Sequence, residues 1–138
     1  SLWAIGGNLA NNLICQGDGA GVGRIWLGID GNMKPWTALR VLNGSTLNSA
    51  VVWDTTAWHH VALVWDGARR HIYVDSVVVA EDTADLGGPL EYADGPIYIG
   101  AHKALGSANF WNGSIDDVRI YRKALSQSEI AELANVVN

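Results

Sequence analysis

Residues 58–78 read WHHVALVWDGARRHIYVDSVV, and this stretch carries the strongest evidence for the fold class. Val61–Trp65 and His71–Val74 are short runs of the β-branched and aromatic residues that strands favour. Asp66-Gly67 stands between them and predicts a tight connection. Asp75-Ser76 then predicts a hairpin turn into a third apolar run, although Gly is favoured over Ser at the second turn position. The stretch therefore predicts consecutive antiparallel strands.

The same signature recurs on both sides of this stretch, separated by Gly, Asn and Asp. Many short strands at this spacing are typical of a two-sheet antiparallel jelly-roll sandwich, an all-β fold. The pattern predicts strands at Leu13–Gln16, Arg24–Ile29, Thr37–Leu42, Ala50–Trp53, Trp58–Trp65, His71–Val74, Val77–Ala80, Ile97–Gly100 and Ser114–Tyr121, with Leu2–Ile5 as a further candidate.

One short helix is predicted near the C-terminal end of the sequence. Ser126 and Glu129 have the spacing of a capping box, which begins a helix. Leu125 and Ile130 occupy the two positions of a hydrophobic staple around that box. A single apolar stripe follows at helical spacing, made of Ile130, Leu133, Ala134 and Val137. We expect this helix to pack against the sandwich, at the end of a strand.

The composition is that of one globular domain. The chain has 138 residues, of which 49% are hydrophobic and 17% charged, so it is long and apolar enough to bury a core and is not disordered. No run approaches the ~20 apolar residues of a membrane span. The net charge of −5 and the scattered Lys and Arg argue against a nucleic-acid or membrane-surface partner. Cys15 is the only cysteine, which excludes an internal disulfide and predicts a buried thiol.

Five motifs follow one another in a fixed order: Trp58–Gly67, Ile72–Asp75, Ile97–Gly100, Phe110–Tyr121 and Ala124–Ile130. In this order and spacing they resemble the bacterial laminin-G-like jelly-roll domain of the concanavalin A-like lectin/glucanase superfamily. The resemblance implies a single domain over residues 1–138 and a role as an accessory module, or a fragment, of a secreted or cell-surface protein. Relatives of this kind bind glycans or other proteins, and some bind calcium.

The chain departs from the resemblance at its beginning. The family opens with a strand that pairs beside the counterpart of Ser114–Tyr121, and little sequence here corresponds to it. An uncovered strand edge tends to pair with another strand. Either Leu2–Ile5 covers the edge, or two chains pair through it as a homodimer. An assembly or protein-interaction module is therefore the alternative to a glycan-binding module.

The carboxylates do not have the arrangement of a glycosidase. The glucanase branch of the superfamily places its catalytic carboxylates on one face of a strand, where alternate residues point the same way. Glu129 and Glu132 fall on the predicted helix, and Glu81 and Glu91 in a turn-rich region. We therefore expect a binding protein rather than an enzyme.

Aromatic side chains are the candidates for glycan binding, because sugar C–H faces stack on aromatic rings. Trp58 and Trp65 are expected in the core. Trp36 follows a proline in a Gly- and Asn-rich stretch and is the candidate we expect to be most exposed. The remaining candidates are Trp26, Trp53 and Trp111, which are not tied to core motifs, and His102, which lies close to Trp111 in sequence.

No cofactor is required by these motifs, and calcium is left open. Asp116 is the candidate calcium ligand, since calcium prefers carboxylate and carbonyl oxygens. His59 and His60 are adjacent on a predicted strand and point to opposite faces, which argues against a zinc site. The expected partners are a glycan or a surface protein, and the expected location is extracellular.

Overall fold

A computed structural model describes residues 11–17, 23–39, 46–54, 56–83, 95–102, 105–106 and 110–136. The strands are β1 Asn11–Gly17, β2 Gly23–Ile29, β3 Pro35–Leu39, β4 Thr46–Asn48, β5 Val61–Trp65, β6 Arg70–Val74, β7 Val77–Asp82 and β8 Ile97–Ile99, followed by helix α1 Gln127–Val136. No helix in the described ranges is long and apolar enough to cross a membrane.

The strands form two antiparallel sheets, as the sandwich prediction requires. The larger sheet has the order β4-β3-β2-β1-β8 and the smaller one the order β5-β6-β7. Across the sandwich, β4 contacts β7 and β3 contacts β6. The predicted all-β fold with one short helix is confirmed.

The core between the sheets is centred on Ile29 and Trp53. Val61 and Val74, which are partners in the smaller sheet, pack against this centre. Because side chains alternate between the two faces of a strand, the chain neighbours of Val61 and Val74, Ala62 and Tyr73, point away from this core. That outward face meets the helix.

The helix covers the outward face of the smaller sheet. Ile130 is 2% exposed and packs with Val64 and Tyr73, with Leu125 beside them. The Ser126 hydroxyl accepts a hydrogen bond from the Glu129 backbone N–H at 3.2 Å, and a Glu129 carboxylate oxygen accepts from the Ser126 N–H at 2.8 Å. The predicted capping box and staple are therefore present, and the helix lies across a sheet face rather than at a strand end.

The two predicted tight connections are also present. Gly67 has φ 97°, which glycine adopts at no steric cost. Asp75 and Ser76 have φ 50° and 67°, the left-handed pair that a type I′ turn requires. The Ser76 misfit noted in the sequence is therefore a side chain held in a conformation that favours glycine.

Several predicted strand positions are wrong or shifted. Ala50–Trp53 is not a strand; the strand in this region is β4, which ends two residues before Ala50. Residues 58–60 precede β5 rather than belonging to it, so the two adjacent histidines are not on a strand. Ser114–Tyr121 forms no strand, although its sequence alternates as one. Leu2–Ile5 and residues 40–42 lie outside the described residues.

The two sheets differ in width. β7 contacts β4 and β6 contacts β3, and no contact of similar extent joins β1 or β8 to a described strand of the smaller sheet. Ile97 and Ile99 of β8 are exposed, as are Val118, Ile120 and Tyr121. We call Val118, Ile120 and Tyr121 the exposed strip.

Candidate functional site

The outer face of the larger sheet carries two of the predicted tryptophans. β2 and β3 pair without a bulge, so residues opposite one another share a face. Trp36 pairs with Gly28, which is two residues from Trp26 along β2, so Trp26 and Trp36 share a face. Ile29 is the next residue after Gly28 and therefore points to the opposite face. Since Ile29 points into the core, Trp26 and Trp36 lie on the opposite, outer face.

Trp26, Trp36 and His102 form an aromatic cluster on this face. The centroids of Trp26 and Trp36 are 5.9 Å apart with an interplanar angle of 75°, an edge-to-face contact. His102, just after β8, lies 5.3 Å from Trp26 at 57°. The structure thus brings together three residues that are far apart in the sequence.

The expectation that Trp36 is the most exposed aromatic is wrong. Trp36 lies within β3 rather than in a turn, and it is 8% exposed. Trp26 is half-buried beside it. The reason is that β3 begins at the proline before Trp36, which places the indole on the sheet against Trp26 rather than at the tip of the turn.

The indole N–H groups of this cluster are unsatisfied. Within the part of the chain that the structure describes, Trp26 Nε1 and Trp36 Nε1 are buried and have no hydrogen-bond acceptor, and the same holds for Trp53 Nε1 and Trp111 Nε1 in the core. A buried donor without an acceptor costs about 1–3 kcal/mol. Because the core tryptophans share this feature, it does not by itself identify a ligand site, and what distinguishes the cluster is its position on the outer face.

Polar groups flank the cluster at the end of β2. One Asp30 carboxylate oxygen accepts from the backbone N–H groups of Asn32 at 2.8 Å and Lys34 at 3.0 Å, and the other accepts from Asn48 Nδ2 at 3.1 Å. Asn48 pairs with Trp36 in the β3–β4 ladder and so shares its face. Asn12, opposite Gly28, is a buried amide on the same face.

Sequence reasoning missed these two asparagines because their place on the face depends on strand register. Register is determined by pairing across the sheet, which composition and local spacing do not specify. The Gly- and Asn-rich stretch after β2 was the available signal, and it identified the turn without identifying Asn48.

Trp53 and Trp111 belong to the core and not to the outer-face cluster. Trp53 is 6% exposed and forms the core centre with Ile29, and Trp111 packs against that centre. Trp53 also contacts the His59 ring, at 4.8 Å between centroids. The five ligand-binding candidates are therefore divided between two faces of one sheet.

Asp116 has no set of ligand side chains around it in the described ranges. One of its oxygens accepts the Asp117 backbone N–H at 2.8 Å. No group of three or more His, Cys, Asp or Glu side chains within the described residues is arranged to hold a metal ion. Asp116 as a calcium ligand stays a prediction.

Trp58 is the clearest departure from the expected core. It is 51% exposed, on the loop that precedes β5. The next residue, His59, has Nδ1 2.6 Å from an Asp75 carboxylate oxygen and Nε2 2.8 Å from the Asp54 carbonyl oxygen. Cys15, in contrast, is buried as predicted.

Two solved structures from Ruminococcus gnavus are similar to this chain. The IT-sialidase CBM40 matches with 21% identity and a TM-score of 0.73, covering 92% of this chain and 75% of that one. The same module bound to α2,3-sialyllactose matches with 19% identity and a TM-score of 0.74, with the same coverage. At these identities the likeness supports the fold.

An S-layer domain-containing protein from Clostridium thermocellum is also similar, with 24% identity and a TM-score of 0.50 over 97% of this chain and 67% of that one. No curated protein sequence gives a significant match. The family profile described as the concanavalin A-like lectin/glucanases superfamily matches residues 5–131, nearly the whole chain. With both sheets and the profile in agreement, the chain belongs to the concanavalin A-like lectin/glucanases superfamily.

Proposed function

We propose that this protein is a non-catalytic glycan-binding module whose site is the Trp26–Trp36–His102 cluster. The observation that carries the proposal is the contact of Trp26 with Trp36 and His102 on the outer face of the larger sheet, where the indole N–H groups of both tryptophans also have no acceptor. Sugar hydroxyl oxygens are acceptors of the required kind, and half-buried Trp26 offers the exposed part of its ring to sugar C–H groups. The similarity to a carbohydrate-binding module supports the same ligand class.

The polar groups beside the cluster suit the remaining sugar hydroxyls. Asn48 offers an amide next to Trp36, and its Nδ2 is held by Asp30 at 3.1 Å, which fixes the amide orientation. A binding side chain held by a neighbour loses less conformational freedom when the ligand arrives. Trp53 and Trp111 support the sheet from its other face and do not contact the sugar in this proposal.

The proposed role is non-catalytic, and the way the described carboxylates are engaged supports it. A retaining glycosidase needs two carboxyl groups about 5–5.5 Å apart, one of them free to protonate the leaving group. Asp30 accepts three hydrogen bonds and is the carboxylate at this end of β2. Glu81 pairs with His71 at 3.2 Å, and Glu129 caps the helix.

The module is proposed to act outside the cell, where its glycan or surface-protein partners are found. Similarity to an S-layer domain-containing protein and to a sialidase carbohydrate-binding module supports this location.

A glycan array, run with and without calcium, tests the binding site. Trp36→Phe removes the indole N–H and keeps an aromatic ring, and we expect it to weaken binding by about tenfold, the effect of losing a hydrogen bond worth about 1.4 kcal/mol. Val77→Ala, at an exposed position in the smaller sheet, serves as the control and should bind as the unaltered chain does. Binding by Trp36→Phe equal to the control would exclude the cluster as the site.

The exposed strip favours a second candidate function, assembly as a homodimer. Monomeric proteins seldom leave several large apolar side chains exposed together, and Ile120 is 63% exposed. Charged residues of both signs lie beside the members of the strip. Asp117 and Arg119 flank Val118 with opposite charges, so a second copy of this segment offers each of them a partner. Within one chain these two residues already pair, at 2.8 Å.

Sedimentation velocity tests the second candidate. We expect a dimer at micromolar concentration that Ile120→Asp converts to a monomer, because a carboxylate in a paired apolar strip is desolvated without a partner. Val77→Asp, which places the same charge at another exposed valine, should leave the dimer intact. A monomer at high micromolar concentration for the unaltered chain would overturn this candidate and leave the glycan proposal standing.

A further inference from the structure

We propose that the loop formed by residues 50–54 and 56–60, here called the end loop, is a second sugar-contacting surface with Trp58 as its stacking platform. The inference rests on the proposed function for its ligand class, and it places a contact at a site away from the outer-face cluster. We further infer that the end loop selects neutral pyranosides over acidic sugars.

The end loop presents apolar side chains to solvent. Trp58 is 51% exposed, and Val51 and Val52 are exposed as well. Burying an aromatic ring of this size against a ligand gains more than burying any aliphatic side chain, since its area is larger. An exposed indole on a loop is therefore the feature that a pyranose ring, with its apolar C–H face, would contact.

Hydrogen bonds hold the second half of the end loop in place. Asp75, at the β6–β7 turn, receives the His60 backbone N–H on one carboxylate oxygen at 2.9 Å and faces His59 Nδ1 with the other at 2.6 Å. His59 Nε2 donates to the Asp54 carbonyl oxygen at 2.8 Å. The residues on both sides of the Trp58 side chain are thus tied to the sandwich. A preorganised platform loses little conformational freedom when it binds.

The first half of the end loop is held over the β2–β3 turn. The Ser49 N–H donates to the Pro35 carbonyl at 2.7 Å, and the Trp53 N–H donates to the Met33 carbonyl at 2.5 Å. Buried Trp53 contacts the His59 ring from below. The exposed side chains of the loop are therefore carried on a fixed backbone. Asn32, in the β2–β3 turn next to this loop, is also exposed.

Asp54 supplies the acceptor that a sugar hydroxyl needs. One of its oxygens accepts from the Thr56 backbone N–H at 2.9 Å and from the Thr56 hydroxyl at 2.7 Å. These hydrogen bonds hold the pKa of Asp54 below its ordinary value, so the carboxylate is ionised at neutral pH. Asp54 is exposed, and sugar hydroxyls donate well to such a carboxylate.

The same charges make acidic sugars unsuitable for the end loop. The Asp54 carboxylate is exposed on this loop and repels a sugar carboxylate placed beside it, whereas the Asp75 carboxylate is paired with His59 and contributes less. Lys34 is the cation on the adjacent turn, and the protein as a whole has a net charge of −5. An exposed aromatic ring and an ionised acceptor carried on the same loop fit a neutral pyranoside.

The test compares variants on one array printed with neutral and sialylated oligosaccharides. We expect Trp58→Ala to weaken binding of neutral oligosaccharides about 3- to 10-fold, and Trp58→Phe to retain most of it, because the phenyl ring keeps an aromatic face. Val77→Ala again serves as the exposed apolar control. Thermal unfolding is measured for each variant to check that it is folded. If Trp58→Ala does not fold, Trp58→Phe is compared with the unaltered chain instead.

The outcomes separate this inference from the proposed function. Neutral glycans bound equally by Trp58→Ala, Trp58→Phe and the unaltered chain, with binding lost in Trp36→Phe, would overturn the end-loop site and leave the cluster as the binding site. Binding confined to sialylated oligosaccharides would overturn the inferred selectivity. Failure of the unaltered chain to bind any glycan on the array would overturn both proposals.

Discussion

At the scale of single residues, burial decides how a side chain behaves, and two positions show this with opposite chemistry. His60 is half-buried, and within the described residues its Nδ1 has no hydrogen-bond partner. Arg70 is 1% exposed and is paired through two hydrogen bonds with Asp82, one of them at 2.8 Å. Burial disfavours the protonated form of His60, whereas buried Arg70 stays charged because the Asp82 carboxylate is paired with it.

Stability is expected to fall in mild acid because of His60. Burial lowers the pKa of His60 below its ordinary value and Arg119 acts in the same direction, while the negative charges of Asp75 and Asp117 oppose the change. The unfolded chain then binds more protons than the folded one, so the free energy of unfolding falls as the pH drops below about 6.5. It falls no further once the pH is below the folded pKa.

Urea unfolding at several pH values between 7 and 5 measures this effect. We expect His60→Gln to give a flatter dependence than the unaltered chain over that interval. The carboxylates whose pKa is lowered by hydrogen bonding, Asp54, Asp66 and Glu129, lose their contribution only below about pH 4.5 and do not interfere. Equal slopes for the two proteins would show that His60 is not the group responsible.

The buried Arg70–Asp82 pair is expected to matter more than the exposed Asp117–Arg119 pair. Asp82→Ala leaves a buried guanidinium without its carboxylate, and we expect a loss of about 1–3 kcal/mol, less than for a fully buried pair because Asp82 is partly exposed. Asp117→Ala breaks a pair of similar geometry that lies in solvent, where screening leaves little net energy. Chemical denaturation of both variants makes the comparison, and equal losses would contradict it.

At the scale of elements, turn and cap residues hold the smaller sheet and the helix in their conformations. Asp75 and Ser76 both adopt positive φ, and the Ser126–Glu129 box closes the first turn of α1. Each of these features involves residues within three positions of each other. Substitutions there test local energetics without disturbing the core.

Ser76→Gly is expected to stabilise the protein. Ser76 has φ 67°, where a side chain is strained and glycine is not. The relief exceeds the extra entropy that glycine brings to the unfolded chain, giving a net gain of about 0.5 kcal/mol in unfolding free energy. A urea midpoint that moves downward in Ser76→Gly would show that the serine side chain contributes more than its backbone strain costs.

Ser126→Ala is expected to destabilise the protein by about 1 kcal/mol. The variant removes the hydroxyl that accepts from the Glu129 N–H and leaves a helix N–H unsatisfied. Gln127→Ala, one position further on and without a capping role, is the control. Circular dichroism during thermal unfolding compares the two variants, and the prediction fails if their midpoints shift equally.

At the scale of the whole molecule, the unequal width of the two sheets is the dominant feature. Five strands face three, and no extensive contact joins β1 or β8 to a described strand of the smaller sheet. Ile115 packs on Gly100, where an added Cβ would lie 3.3 Å from Ile115 Cδ1. Val118 and Ile120, further along, remain exposed.

Hydrogen exchange measured by mass spectrometry should separate these regions. We expect the amides of β1, β2 and β3 to exchange slowly, because they lie in a continuous ladder inside the larger sheet. Amides of residues 114–121, which form no strand, should exchange early. Slow exchange throughout residues 114–121 at low protein concentration would mean that their backbone is protected within a single chain.

The local features of this protein follow from sequence because their causes are local. The Asp66-Gly67 connection, the Asp75-Ser76 hairpin and the capping box at Ser126 each depend on the conformational preferences and hydrogen bonds of neighbouring residues, and all three are present. The ordered series of strand motifs extends this reasoning to the fold class. An alternating apolar pattern requires a second sheet to bury it, and two sheets are present.

Only the tertiary structure decides which aromatic residues meet and which are exposed. Trp26 and Trp36 share a face because of the β2–β3 register, and Trp36 is buried there although its sequence neighbours are typical of a turn. Trp58 is exposed although it begins a strand-like run, and Ser114–Tyr121 alternates like a strand without forming one. The physical reason is that both burial and strand formation need a partner from a distant part of the chain, and local sequence does not specify whether that partner is in place.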